Sequence, residues 1–429
     1  MKVLIISNAE WDDGNSFGST FSNLFSFLPK DNVANIFCRG GSPLTENCGH
    51  FLRMSETDVL RFLLHKGDFQ EVTVFEARPE TNEKQTTGGI KRFAKQHRWL
   101  LFFAMREMLW SLSGWRKSKS LQSFVENFKP DIIVLPTYSF SYINKLAIFL
   151  ADKYNLPMVS YVSDDEYSYN PYNHSFTYRL FKRYQRKWIK RGIDRSEILY
   201  VISDIQKKEY TPIFGDKCKV LTKGGLFENA PVTKPPQAPI KIVFVGNIGT
   251  GRWQTLAMVA DEIEKHNTEK MRFTLDIYTG TSYTKAMVVA LSKNGTMTHG
   301  FISPKEAENL IKESDVLLHV ESFDKKDEFT VHQSFSTKIV DYLANGKCIM
   351  AIGPSAVASI DFLRANTLAL VASDKDELAR VFESVVDNPI IMAQMARNAW
   401  EQGKTICDIK VIHNMLQEDL ERVINKVNQ

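Results

Sequence analysis

The densest usable chemistry in the sequence lies between His332 and Ile349. A polar stretch of small residues leads into a helix, with Ser336 or Thr337 near its N-terminus, and Gly346 ends that helix before the next strand. A helix that starts here leaves backbone N–H groups without carbonyl partners, and its dipole makes them an anion site. Lys338 adds a positive charge in the first turn, which the dipole disfavours unless an external anion is present. Asp341, three residues on, shares that helix face and can accept hydrogen bonds from a ribose diol.

A second cluster follows the β-branched run Ile240–Val245, in the loop Gly246-Asn247-Ile248-Gly249-Thr250-Gly251-Arg252. Gly246 and Gly249 allow the backbone to approach a diphosphate, and Arg252 can pair with it bidentately. Arg252 is the one cation of this loop, so a second phosphate partner has to be Lys338 or a residue elsewhere. Near the start of the chain, Asp12 to Gly18 forms another glycine-bearing strand-to-helix loop through Gly14 and Gly18. A plain turn explains it equally well. The run Ser163-Asp164-Asp165-Glu166 ends a strand, and Asp164 or Asp165 is a candidate to position an acceptor hydroxyl or act as a general base. A helix cap is the alternative there; Ser203, after the run Leu199–Ile202, is expected to cap the next helix.

These residues need rigid elements behind them. Short apolar runs near Met1–Ser7, Val33–Cys38, Val72–Phe75, Ile132–Leu135, Met158–Val162 and Ile198–Ile202 predict the strands of a first half. Ile240–Val245, Phe273–Tyr278, Val316–Val320, Cys348–Ile352 and Leu368–Val371 predict those of a second. Helical stretches between them imply right-handed crossovers and parallel sheets covered on both faces. Four prolines among residues 231–239 mark a linker, since such a segment can form neither helix nor central strand. The expected organisation is a first domain over 1–230, the linker 231–239, a second domain over 240–405, and a C-terminal helix within 406–429 that crosses back to the first domain. Two doubly wound α/β domains of this kind face a central cleft at the carboxyl ends of their strands.

The window His332–Ile349 resembles the nucleotide-sugar signature of glycosyltransferases with the GT-B fold, especially family 4 and its relatives. Many of these carry Ser-x-Lys followed by Tyr-Leu-Ala-x-Gly-Lys, here Ser336 to Lys338 and Tyr342 to Lys347. Matching the family's two glutamates, eight positions apart, places Asp341 on the ribose and Gln333 beside the transferred sugar. Gln for Glu removes a negative charge at that point. Thr298 to Glu306 resembles the family's turn beside the nucleobase, where Phe301 and Ile302 would cradle the base through backbone groups. Glu313 to Ser322 resembles the strand that follows. The resemblance implies transfer from a nucleotide diphosphate sugar to a hydroxyl acceptor, with Arg252, Lys338 and helix N–H groups on the diphosphate. It also implies no cofactor, no metal at the diphosphate, and retention of anomeric configuration. A lipid-linked saccharide in bacterial surface-polysaccharide assembly is the preferred acceptor.

Composition narrows the alternatives. The first 235 residues hold 33 Lys and Arg against 25 Asp and Glu, and the remainder hold 21 against 25. A basic first half suits an anionic partner, or merely solubility. Lys91–Lys119 places eight cations and one Glu among Trp and Phe, as an interfacial helix on an anionic membrane would. The alternative is that its apolar residues are core. The second basic run, Arg179–Arg191, reads as a solvated helix. No apolar run reaches the length of a membrane span, and five scattered cysteines suit a reducing compartment, so a cytoplasmic, peripheral membrane location is expected. No nucleic-acid module is recognised. Competing readings are a catalytically silent GT-B scaffold, a sugar-nucleotide epimerase, and a nicotinamide-dependent oxidoreductase. The Gly246 loop lacks the dinucleotide spacing of the last.

Overall fold

The computed structural model describes residues 1–73, 99–228, 231 and 234–427. The chain forms two compact units: Met1–Val201 with Glu209–Val220 and His413–Gln429, and Ile202–Lys208 with Leu221–Ile412.

The first unit is built on an eight-stranded sheet of β1 (Val3–Ser7), β2 (Val33–Phe37), β3 (His50–Arg53), β4 (Gln70–Val72), β5 (Ile132–Pro136), β6 (Met158–Val162), β7 (Ile198–Val201) and β8 (Cys218–Val220). The order is β4-β3-β2-β1-β5-β6-β7-β8, parallel except where β4 runs antiparallel to β3. Every residue of β1, β2, β5 and β6 is buried. That is what helices on both faces produce, and why these strands read as unbroken apolar runs. At roughly 1.5–3 kcal/mol for each fully buried Val, Leu or Ile side chain, such strands dominate the stability of the unit. The terminal helix Ile409–Val427 supplies part of the same unit through residues from His413 on. Asp419 on it accepts hydrogen bonds from Tyr200 Oη at 3.2 Å and Lys219 Nζ at 2.7 Å.

The second unit holds six parallel strands: β9 (Ile240–Val245), β10 (Phe273–Tyr278), β11 (Thr296–His299), β12 (Val316–Val320), β13 (Cys348–Ile352) and β14 (Leu370–Ala372). Their order is β11-β10-β9-β12-β13-β14. The direction of winding reverses between β9 and β12, and a doubly wound sheet opens a crevice at the carboxyl ends of such a pair.

The reading of the strands needs three corrections. The strand expected near Val72–Phe75 ends at Val72, and its later residues lie outside those described. That expected at Leu368–Val371 is displaced to Leu370–Ala372, because Leu368 and Ala369 lead in from the preceding helix. Strands β3, β8 and β11 were not anticipated: each is three or four residues long with polar or exposed members, too short to show a period. Residues 91–98 of the basic stretch lie outside those described. Among the described residues, no helix is long and apolar enough to cross a membrane.

Candidate functional site

At the winding reversal of the second unit, β9 delivers the loop Gly246–Gly251 and β12 delivers Glu321 and Ser322 just past its end. Thr250 and Gly251 both take positive φ, 52° and 70°, to turn the chain into the helix Arg252–His266. A Cβ on Gly251 would collide with Ser322 Oγ and the Asp327 carboxylate, so the close packing of the two loops requires glycine. Thr255 Oγ1 donates to the Glu321 carbonyl at 2.8 Å and pins the loops together.

Arg252 stands at the head of this helix, and its guanidinium is bidentate on Glu321, with Nε and Nη2 contacts of 2.9 and 3.1 Å. Glu321 is 3% exposed. Burial raises its pKa, and Arg252 opposes that rise. The expectation that Arg252 serves a diphosphate is thereby modified: two of its five N–H donors are committed to a buried carboxylate that would otherwise be uncompensated. Beside them, His319 Nε2 lies 2.9 Å from Ser359 Oγ and 3.6 Å from Glu321 Oε1. Burial, then the charges of Arg252 and Lys338, lower the His319 pKa to about 3, so the ring is neutral.

The helix Lys338–Ala344 begins after Thr337, whose side chain makes no capping hydrogen bond, and Gly346 at φ 61° ends it. The Ser336 carbonyl accepts from Ile339 N at 3.0 Å. Lys338 reaches back to the Gly246 loop, its Nζ donating to the Val245 carbonyl at 2.8 Å. A Cβ on Gly246 would approach that ammonium to 2.8 Å. Burial of the ammonium end and the charge of Arg252 lower the Lys338 pKa, while Asp341 opposes this. Asp341 is held by Lys223, whose Nζ lies 2.7 and 2.8 Å from the two carboxylate oxygens. The structure therefore gathers Gly246, Gly249, Arg252, Lys338 and Asp341 around one crevice. Lys223, Glu321 and His319 were missed. The only sequence sign of Glu321 was a carboxylate directly after an apolar strand, and nothing near Lys223 marked it.

Two expected residues stand differently. Gln333 is 3% exposed. Its Oε1 accepts from Gln206 Nε2 at 3.1 Å and its carbonyl from Ser203 Oγ at 2.8 Å. A neutral amide here satisfies another buried amide, which is an interior hydrogen-bonding position. Ser203 does cap its helix, accepting from Gln206 N at 3.2 Å. Phe301, by contrast, is 79% exposed beside a half-buried Ile302, on the loop after β11, with its ring edge over Gly280.

In the first unit, Gly14 N donates to Asp12 Oδ1 at 2.8 Å and Gly18 N to Asn15 Oδ1 at 2.7 Å. The latter bond caps the helix Ser16–Phe25, as a plain strand–helix turn would. Asp164 is exposed just beyond β6. Asp165 accepts from Tyr167 N, Ser168 N and Tyr210 Oη and is consumed in a turn. The adjoining Glu166 accepts from Ser139 Oγ, and burial raises its pKa against the opposing charge of Lys182.

Residues 252–414 match a glycosyl transferase-like family. No curated protein matches the sequence. Among solved structures, HepE of Anabaena in complex with UDP aligns with a TM-score of 0.62 at 14% identity, covering 98% of this chain and 100% of that one. Sucrose-phosphate synthase from Thermosynechococcus elongatus aligns at 0.60 and 10% identity, covering 99% and 100%. The UDP-forming α,α-trehalose-phosphate synthase of Burkholderia xenovorans, in complex with glucose-6-phosphate, aligns at 0.57 and 10% identity, covering 98% and 100%. At these identities the likeness establishes the fold. The chain therefore has the fold of these two-domain structures, and its residues 252–414 are similar to a glycosyl transferase-like family.

Proposed function

We propose that the second unit binds a nucleotide diphosphate sugar and that the chain transfers its sugar to the hydroxyl of a saccharide acceptor. The observation that carries this reading is the convergence of Arg252 and Lys338 on the Gly246–Gly251 loop at the winding reversal. A diphosphate there would face two cations and the backbone of a glycine-bearing loop, which stabilise negative charge as it develops on the departing group. Glu321 fixes the Arg252 fork in place, so little of its reorganisation remains for the moment of reaction. Asp341 would accept from the ribose hydroxyls, with Lys223 keeping it oriented. The exposed Phe301 loop would lie against the base. Solved relatives in fold are complexes with UDP and UDP-glucose, which makes a uridine donor the first to test.

The acceptor we favour is a lipid-linked saccharide of surface-polysaccharide assembly, met at the membrane surface, with retention of configuration and no metal or cofactor. Supporting the membrane part, the helix Trp99–Leu112 exposes Phe102, Met105, Met108 and Leu112 between 53 and 64%. These side chains share a solvent face of the kind that enters a headgroup layer.

The test is thermal stabilisation against UDP-, GDP-, ADP- and dTDP-sugars, with NAD and NADP as controls. A donor at about 100 times its Kd should stabilise the fold by roughly 2.7 kcal/mol. The effect is expected to vanish in Asp341→Ala and Lys338→Met. Stabilisation by NAD alone, or by none of the panel, would overturn the reading.

A further inference from the structure

We infer that the first unit carries a two-part site for an amphiphile with a phosphate or diphosphate head, built on the helix Phe176–Arg195 and the turn before it. Residues Phe176, Leu180, Arg183, Lys187 and Arg191 recur every three or four positions and so share one helix face. Along that face the chemistry changes. Phe176 and Leu180 are 79 and 61% exposed at the start, and the positions that follow are cationic. A helix that merely solvated its charges would have no reason to present a phenyl ring and an isobutyl group to water on the same stripe. The expectation of a plain solvated helix is therefore incomplete.

Two adjoining cavities match the two halves of the stripe. One, of about 330 Å³, is lined by Tyr167, Tyr169 and the cationic positions. The other, of about 600 Å³, is lined chiefly by Pro171, Phe176, Tyr178 and Leu180. Tyr169 and Arg183 line both, so the cavities are neighbours.

The basic end is pre-organised. The Arg186 guanidinium sits 4.2 Å from the Tyr167 ring centre and 4.4 Å from that of Tyr169, a clamp that fixes the fork for an incoming anion. Its Nε is buried and has no hydrogen-bond partner in the structure. The carboxylate of this pocket, Asp194, is already paired with Lys190 at 2.8 Å. Arg183 and Lys187 form no ion pair among the described residues. Phosphate oxygens match this fork geometry, and a flexible hydrocarbon chain suits the apolar cavity beside it. Both cavities are open to solvent, and together they are sized for one head and the first part of one chain. That this amphiphile is the acceptor rests on the transferase reading, but its binding does not.

The experiment is calorimetric titration of the full chain with dodecyl phosphate below its micellar concentration, alongside inorganic pyrophosphate and dodecyl maltoside. Dodecyl phosphate should bind at least about tenfold more tightly than either, since only it engages both halves. The double variant Arg183→Gln/Lys187→Gln should lose about tenfold and Leu180→Asn several-fold, with unchanged melting temperatures because all three side chains are exposed. Pyrophosphate binding as tightly would reduce the site to an anion pocket, and dodecyl maltoside binding as tightly would reduce it to an apolar one. Either result, or unchanged affinity in the variants, overturns the inference. Nucleotide-sugar stabilisation of the same preparation, with Asp341→Ala as its control, reports on the donor reading separately, so the two can fail independently.

Discussion

Arg252 and Glu321 are 69 residues apart in sequence and meet through two hydrogen bonds of 2.9 and 3.1 Å. Glu321 is 5% exposed at its side chain and Arg252 23%. Breaking the pair from the arginine side leaves a carboxylate without compensation in the interior. Arg252→Ala is expected to cost about 3 kcal/mol at pH 7, the lower end for buried pairs because the arginine is partly solvated. The pH dependence follows from the sign of the Glu321 shift. Its folded pKa lies above the unfolded value, so the folded state binds the proton more readily and regains stability as pH falls. Urea denaturation should show a smaller loss at pH 5 than at pH 7, and Glu321→Gln should rescue part of it. An equal loss at both pH values would count against an ionised, buried Glu321.

His319 gives the opposite slope. A folded pKa of about 3 lies below the unfolded value of 6.5, so the unfolded state binds more protons between the two. The stability contribution is complete above pH 6.5 and declines as pH falls, by at most about 1.4 kcal/mol per unit. His319→Gln should remove that slope. Parallel stability–pH curves for wild type and variant between pH 5 and 7 would refute the assignment.

The two glycines of the loop should separate structure from binding. Gly251→Ala places a methyl against Ser322 Oγ from a backbone at φ 70°, and is expected to cost about 1–3 kcal/mol of stability. Gly246→Ala meets the end of the flexible Lys338 side chain at 2.8 Å and the Phe244 ring edge at 3.3 Å, and no backbone atom is among these nearest neighbours. Stability should stay within about 1 kcal/mol of wild type, while nucleotide-sugar affinity falls about tenfold as the ammonium is displaced. Calorimetric unfolding and ligand titration on both variants test the distinction.

Gln333→Leu should strip Gln206 Nε2 of its buried acceptor and cost about 1–3 kcal/mol. Donor affinity should change by less than about threefold, because the amide points to the interior. Wild-type stability combined with abolished turnover would restore Gln333 to the reacting centre.

Much of this architecture was readable from local signals. Met158–Val162, Phe273–Tyr278, Val316–Val320 and Cys348–Ile352 were delimited to the residue, because parallel strands covered on both faces are continuous apolar runs. Lys338 was legible because a positive charge in a first helical turn is out of place without a partner, and Arg252 because it follows a glycine-bearing loop that can approach a diphosphate. Their partners were not legible. Lys223 lies 118 residues from Asp341, and Glu321 is a carboxylate like any other until the sheet brings β12 beside β9. The hydrogen bonding of Gln333 was not legible for a related reason. Its spacing from Asp341 fitted a motif, but which way the side chain turns was decided by Gln206, 127 residues away.

The first unit draws its last structural member from residues after His413, whereas the second is complete by Ile412. On the ribosome the order of completion is therefore the reverse of the order of synthesis. Until the helix Ile409–Val427 emerges, Tyr200 and Lys219 lack Asp419, and the unit that was translated first waits on residues made after the second unit.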